Sequence, residues 1–90
     1  MSDLEKKKAD LEVRIDTVLA QVREEVLAAG LKHKPMNSAH EGYAVLLEEV
    51  DELWEHVKED TGYTEEAFDE ARQVAAMGVR YIVDLSNKGK

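Results

Sequence analysis

The sequence predicts an all-α chain of three helices, and three observations carry that prediction. Ala, Leu, Glu and Lys dominate, and no stretch alternates β-branched with polar residues, so the two-residue period of a strand is missing. Chain-breaking residues gather in two places only: Gly30 to Asn37 (GLKHKPMN), which holds the single Pro, and Asp60 to Tyr63 (DTGY) around Gly62. Between the breaks, apolar residues recur at intervals of three and four, the spacing of one helix face. No internal repeat or low-complexity tract interrupts this pattern.

The first helix is expected over about 3–29. Leu4, Leu11, Ile15, Val18, Val22 and Val26 form its stripe, which suits a bundle or coiled-coil seam. Gly30 is placed to end it as the first residue beyond the helix, and Pro35 prevents continuation. At ~1.5 Å per residue such a helix is roughly 40 Å long, more than two shorter helices need to cover. Its far end is therefore expected to pack on another chain.

The second helix, about 38–59, opens on Ser38-Ala39-His40-Glu41, a capping box in which Ser38 accepts from the Glu41 amide and Glu41 reaches back. Tyr43, Leu46, Leu47, Val50, Leu53, Trp54 and Val57 share a face, so Trp54 reads as core or subunit interface rather than a base-stacking residue. The third helix, about 64–86, has Thr64 as N-cap with Glu65 and Glu66 in its first turn. Ala67, Phe68, Ala71, Val74, Ala75, Gly78, Ile82 and Leu85 make its expected buried stripe. Half of these are Ala or Gly, which lets another helix approach closely. Lys88 to Lys90 reads as a frayed tail.

Ninety residues make one domain, and 12 Lys+Arg against 20 Asp+Glu give a formal charge of −8. A chain this short buries only roughly 60–65% of its unfolded surface, so a partner subunit would help it. The absence of Cys excludes disulfides, thiol nucleophiles and Cys-based zinc sites. The acidic balance argues against binding a nucleic acid polymer or an anionic membrane, and the short basic run Lys6-Lys7-Lys8 reads as solvated surface. With no long apolar run and no signal-peptide core, the expected location is cytoplasmic.

The acids are not all alike. At about 100° per residue, Glu49, Glu52 and His56 fall within a strip roughly 60° wide on the second helix, flanking its apolar stripe. Glu70, Gln73, Met77 and Asp84 form a comparable strip on the third, with Glu66 and Arg80 close by. The short connection favours antiparallel neighbours, which would let the strips face each other. Carboxylates at i, i+3 on facing helices can hold a divalent cation inside a bundle, and a hard cation such as Mg²⁺ takes oxygen ligands. The ordinary alternative is a solvated acidic face. His56 could contact a phosphate or base, although a surface histidine is its commoner role. Arg80 is the best phosphate contact, and it could equally pair with Asp84 at i+4. No Gly-rich phosphate loop, Ser/His/Asp set or HExxH motif occurs.

The order of these residues resembles a known family. Glu48-Glu49-Val50-Asp51-Glu52, followed one helix–turn–helix later by Glu70-x-x-Gln73, resembles the EExxE and ExxD signature of MazG-like nucleoside triphosphate pyrophosphohydrolases, in particular their short bacterial and phage-type members. The stretches HEGYAVLLEEVDELWEHV and EARQVAAMGVRYIVDL are similar to the two motif helices of that family, and the likeness covers about Ser38 to Leu85. It implies an all-α fold that oligomerises as a dimer or tetramer. It also implies Mg²⁺-dependent hydrolysis of a (d)NTP to the monophosphate and pyrophosphate, with Mn²⁺ as a substitute metal. Carried over by residue, Glu49, Glu52, Glu70 and Gln73 would surround the metal, and Glu48 would orient or activate the attacking water. The last position departs from the family, because Gln73 stands where it has Asp. A register using Glu66-x-x-Asp69 satisfies the motif literally, but Asp69 is followed by Glu70 rather than by apolar residues and rotates away from the strip. The missing charge leaves a second reading open: a nucleotide-binding or sequestering module with little or no turnover.

Overall fold

The structure is a computed structural model that describes residues 1–86, so the tail expected at Lys88 to Lys90 lies outside the described residues. It has three helices, α1 (Asp3–Lys32), α2 (Ala39–Asp60) and α3 (Glu65–Leu85), and no strand among the described residues. None is long and apolar enough to cross a membrane.

Each helix start has a side chain that satisfies an otherwise orphaned amide. Ser2 opens α1 with a full capping box: its hydroxyl accepts from Glu5 N–H at 3.1 Å, and Glu5 accepts from Ser2 N–H at 3.3 Å. Ser38 accepts from Glu41 N–H at 3.1 Å. Glu41, however, reaches past Ser38 to the Asn37 N–H at 3.3 Å, so the second half of the expected box is shifted by one residue. Thr64 caps α3 through Ala67 N–H at 3.2 Å. The α2–α3 turn is made by Thr61 (φ 74°) and Gly62 (φ 81°), both left-handed, a conformation that glycine adopts without strain.

Helix α1 continues past Gly30 to Lys32, where His33 turns extended (φ −116°). Glycine inside a helix costs about 1 kcal/mol relative to Ala, too little to end the helix by itself. Up to Gln21 every residue of the chain is exposed, and α1 docks only through its C-terminal third. The radius of gyration, 15.8 Å, accordingly exceeds the ~12 Å of a compact chain of this length.

α3 is the central element, packed on both α1 and α2, and among the described residues no Cα of α1 comes within 8 Å of α2. The core is small: Val22, Met36, Ala76 and Met77 are buried together, with Val26, Ala29, Val45, Leu46, Tyr81 and Leu85 around them. This corrects the expected buried faces. In α2, Tyr43, Leu47, Val50, Trp54 and Val57 are exposed, and Leu46 and Leu53 only half-buried. In α3, Ala67 is buried, whereas Phe68 (44%) and Ile82 (66%) are open to solvent, as are Ala71 and Ala75. Much of each expected apolar stripe thus faces outward, while Leu46 of α2 and Leu85 of α3 pack against the core.

Candidate metal centre

The strip on α2 presents Glu49 and Glu52 one turn apart, and α3 presents Glu70 opposite them. One carboxylate oxygen of each lies within 4.8 Å of the other two. Glu49 and Glu70 are half-buried, and Glu52 is exposed. Like charges at that separation repel by about 3–4 kcal/mol per pair at an effective dielectric near 20, so all three cannot be comfortably ionised without relief. The Glu49 carboxyl is pushed up to about 7, first by loss of solvent and then by the charges of Glu52 and Glu70. Glu70 is raised as well, by burial first and then by its contact with Glu52, against a lowering influence from Glu49 and His56. The Oε2 atom of Glu70 is buried and has no hydrogen-bond partner. Ionised carboxylates offer one another no donor, so a proton or a cation must supply what is missing. An all-oxygen donor set with a buried orphan oxygen fits a hard divalent ion such as Mg²⁺.

Beside this triad lies a cleft of about 370 Å³, walled by Ala29, Met36, Val45 and Met77 and carrying Glu41, Glu49, Gln73 and Arg80. A groove of about 530 Å³ between the start of α2 and the end of α3 contains none of the candidate site residues. Of the two, the smaller cleft is the one that gathers candidate site residues.

The other candidates separate clearly. Glu48 is exposed on α2, outside the triad. His56 is half-buried and near enough to Glu70 to influence its charge. Gln73 lines the cleft but is not among the clustered acids, and its Nε2 donates to Glu25 Oε2 of α1 at 2.8 Å. Arg80 is buried (6% exposed). Its Nη2 donates to the Lys34 carbonyl at 3.2 Å and to Asp84 Oδ2 at 3.4 Å, so the pairing with Asp84 is present, and Nε is buried without a partner. Glu66 is exposed, and Asp69 is exposed and engaged with Arg72, so the geometry brings Glu70, rather than the Glu66–Asp69 register, to the α2 acids.

Two contributors escape a reading by motif. Glu25 lies on the generic first helix, although its position between Val22 and Val26 of the docking stripe marks it as an acid on a packed face. Met36, just after the only Pro, is the largest fully buried side chain, and its N–H is held by Asp84 at 2.9 Å. Comparison with protein-family models, with curated proteins and with solved structures finds no match to the chain in any of the three.

Proposed function

We propose that the protein is a Mg²⁺-dependent nucleotide pyrophosphohydrolase of the MazG-like type, cleaving a (d)NTP to the monophosphate and pyrophosphate and working as a homo-oligomer. The observation that carries this reading is the convergence of Glu49, Glu52 and Glu70 within 4.8 Å at the edge of a cleft. Bound Mg²⁺, or Mn²⁺ in its place, would neutralise phosphate oxygens and the charge that develops on them. Glu49, Glu52 and Glu70 are the residues to hold it, with Gln73 offering a neutral oxygen. Glu48, exposed beside Glu49, is the group to orient or deprotonate an attacking water. Arg80 and His56 are the phosphate contacts: Arg80 lines the cleft with its Nε unsatisfied, and His56 stands near Glu70.

The outward apolar stripes support the oligomer. Leu47 (41%), Val50 (41%) and Trp54 (55%) of α2 and Phe68 of α3 are exposed apolar side chains of the kind that mark a protein–protein contact. A dimer or tetramer that covers these faces would enlarge the small core of the single chain.

Pyrophosphate release from a panel of dNTPs with Mg²⁺ tests the activity, and Glu49→Gln is expected to abolish it. A protein that binds Mg²⁺ and a dNTP by calorimetry but releases no pyrophosphate would instead be a nucleotide-sequestering module. The neutral amide of Gln73, which brings no charge to the cleft it lines, is the observation that favours that second reading.

A further inference from the structure

We propose that Glu25 of α1 is a positioning residue for the carboxylate site, holding the Gln73 amide so that its carbonyl oxygen, and not its NH₂ group, is offered to the cleft. The inference rests on reading Glu49, Glu52 and Glu70 as cation ligands. Gln73 Nε2 donates to Glu25 Oε2 at 2.8 Å in a partly buried contact that ties α3 to α1. A carboxylate only accepts, so Glu25 can hold only the nitrogen end of the amide. The two ends of an amide diverge, so with the nitrogen on Glu25 the end left to meet a guest in the cleft is the carbonyl oxygen. Gln73 and Glu49 line the same cleft, and Gln73 stands one helical turn beyond Glu70, a member of the triad.

The orientation decides the sign of what position 73 contributes. An amide oxygen is a normal ligand for a hard cation, whereas an NH₂ group aimed at the same place repels one. Without an anchor, a glutamine amide can present either end. Glu25 removes that choice and polarises the amide, making the carbonyl oxygen more negative. The helix that carries no motif residue thereby completes the site.

The test uses the full chain and Mn²⁺, with free ion followed by electron paramagnetic resonance. Glu25→Ala is expected to weaken Mn²⁺ binding by about tenfold, the size of one lost oriented contact. Glu25→Gln keeps an acceptor oxygen for Gln73 and is expected to stay within about threefold of the parent. With Gln73→Ala already present, adding Glu25→Ala is expected to change nothing further, because its effect runs through the amide. In metal-free protein the Gln73 side-chain NH₂ resonances should move in Glu25→Ala and hold in Glu25→Gln. The role of Glu25 is overturned if Glu25→Ala binds like the parent, if Glu25→Gln loses as much as Glu25→Ala, or if the loss persists without Gln73. A parent chain that binds no Mn²⁺, or a Glu49→Gln variant that binds it equally, overturns the cation site itself and this inference with it.

Discussion

Asp84 accepts the backbone N–H of Met36 at 2.9 Å and the Arg80 guanidinium at 3.4 Å through the same Oδ2 atom. One carboxylate on the last turn of α3 thus anchors the α1–α2 connection and balances a buried cation. Arg80 in turn donates to the Lys34 carbonyl at 3.2 Å, so two side chains of α3 fasten the segment that walls the cleft.

Removing Asp84 leaves the Arg80 charge buried and the Met36 amide without its acceptor. Asp84→Ala is expected to cost about 3 kcal/mol, the range for breaking a buried pair by deleting one partner. Asp84→Asn, which keeps an acceptor oxygen, should cost less. Urea unfolding followed by circular dichroism measures both, and equal losses would show that charge alone matters.

Gly42 lets α2 and α3 approach at the edge of the core. A Cβ there would stand 2.6 Å from Tyr81 Cδ2 and 3.2 Å from Met36 Sδ. Since Met36 is packed at 2% exposure, it has little room to yield. Gly42→Ala is expected to destabilise by about 1–3 kcal/mol despite its gain in helix propensity. Thermal unfolding checks the sign, which helix propensity alone would reverse.

Gly78 reads the proposed oligomer. A Cβ added at Gly78 meets nothing within 4 Å in the single chain. It neighbours the outward stripe of Ala71, Ala75 and Ile82. Gly78→Leu is therefore expected to spare the fold of one chain and dissociate the oligomer. Light scattering after size exclusion should show the mass fall to that of the 10.2 kDa chain, with helical content retained.

The helices and their starts were legible in the sequence because Ser38, Thr64 and Gly62 act through local backbone chemistry. The face each helix buries was not. Periodicity locates an apolar stripe but not what covers it, and Val50, Trp54 and Phe68 turn out to face away from the chain's own core. Glu49, Glu52 and Glu70 could be found from angular position, since their convergence needs only that α2 and α3 be neighbours. The links from Gln73 to Glu25 and from Asp84 to Met36 join residues more than half the chain apart, beyond any local pattern.

The carboxylate cluster should make stability depend on pH and metal together. Glu49 holds its proton in the folded state up to about 7, above the value of 4.5 usual for Glu. Between these values the folded chain binds more protons than the unfolded one, so stability falls as pH rises through that window. In EDTA, the melting temperature should drop from pH 5 to pH 7.5, and Glu49→Gln should drop less. Mg²⁺ should raise melting strongly at pH 8 and little at pH 5, where protons occupy the site. Equal stabilisation by Mg²⁺ at both values would count against a cation bound at this cluster.

Placing a carboxylate at position 73 with Gln73→Asp tests the site from the opposite side. Asp at 73 would bring the charge that Gln lacks, but it would also lose the donor to Glu25 and set a new carboxylate beside it. In the metal-free chain, the substitution is expected to destabilise by about 1–2 kcal/mol, the cost of a lost partly buried hydrogen bond plus repulsion. Mg²⁺ should recover that loss if the added charge lies within reach of the bound ion. Combining it with Glu25→Gln removes the repulsion and returns a donor, so the double variant should bind Mg²⁺ more tightly than either single one and hydrolyse dNTPs fastest. Titration calorimetry and pyrophosphate release measure the two effects separately. Unchanged Mg²⁺ affinity in the double variant would place position 73 outside the metal's reach, leaving Glu49, Glu52 and Glu70 as the whole ligand set.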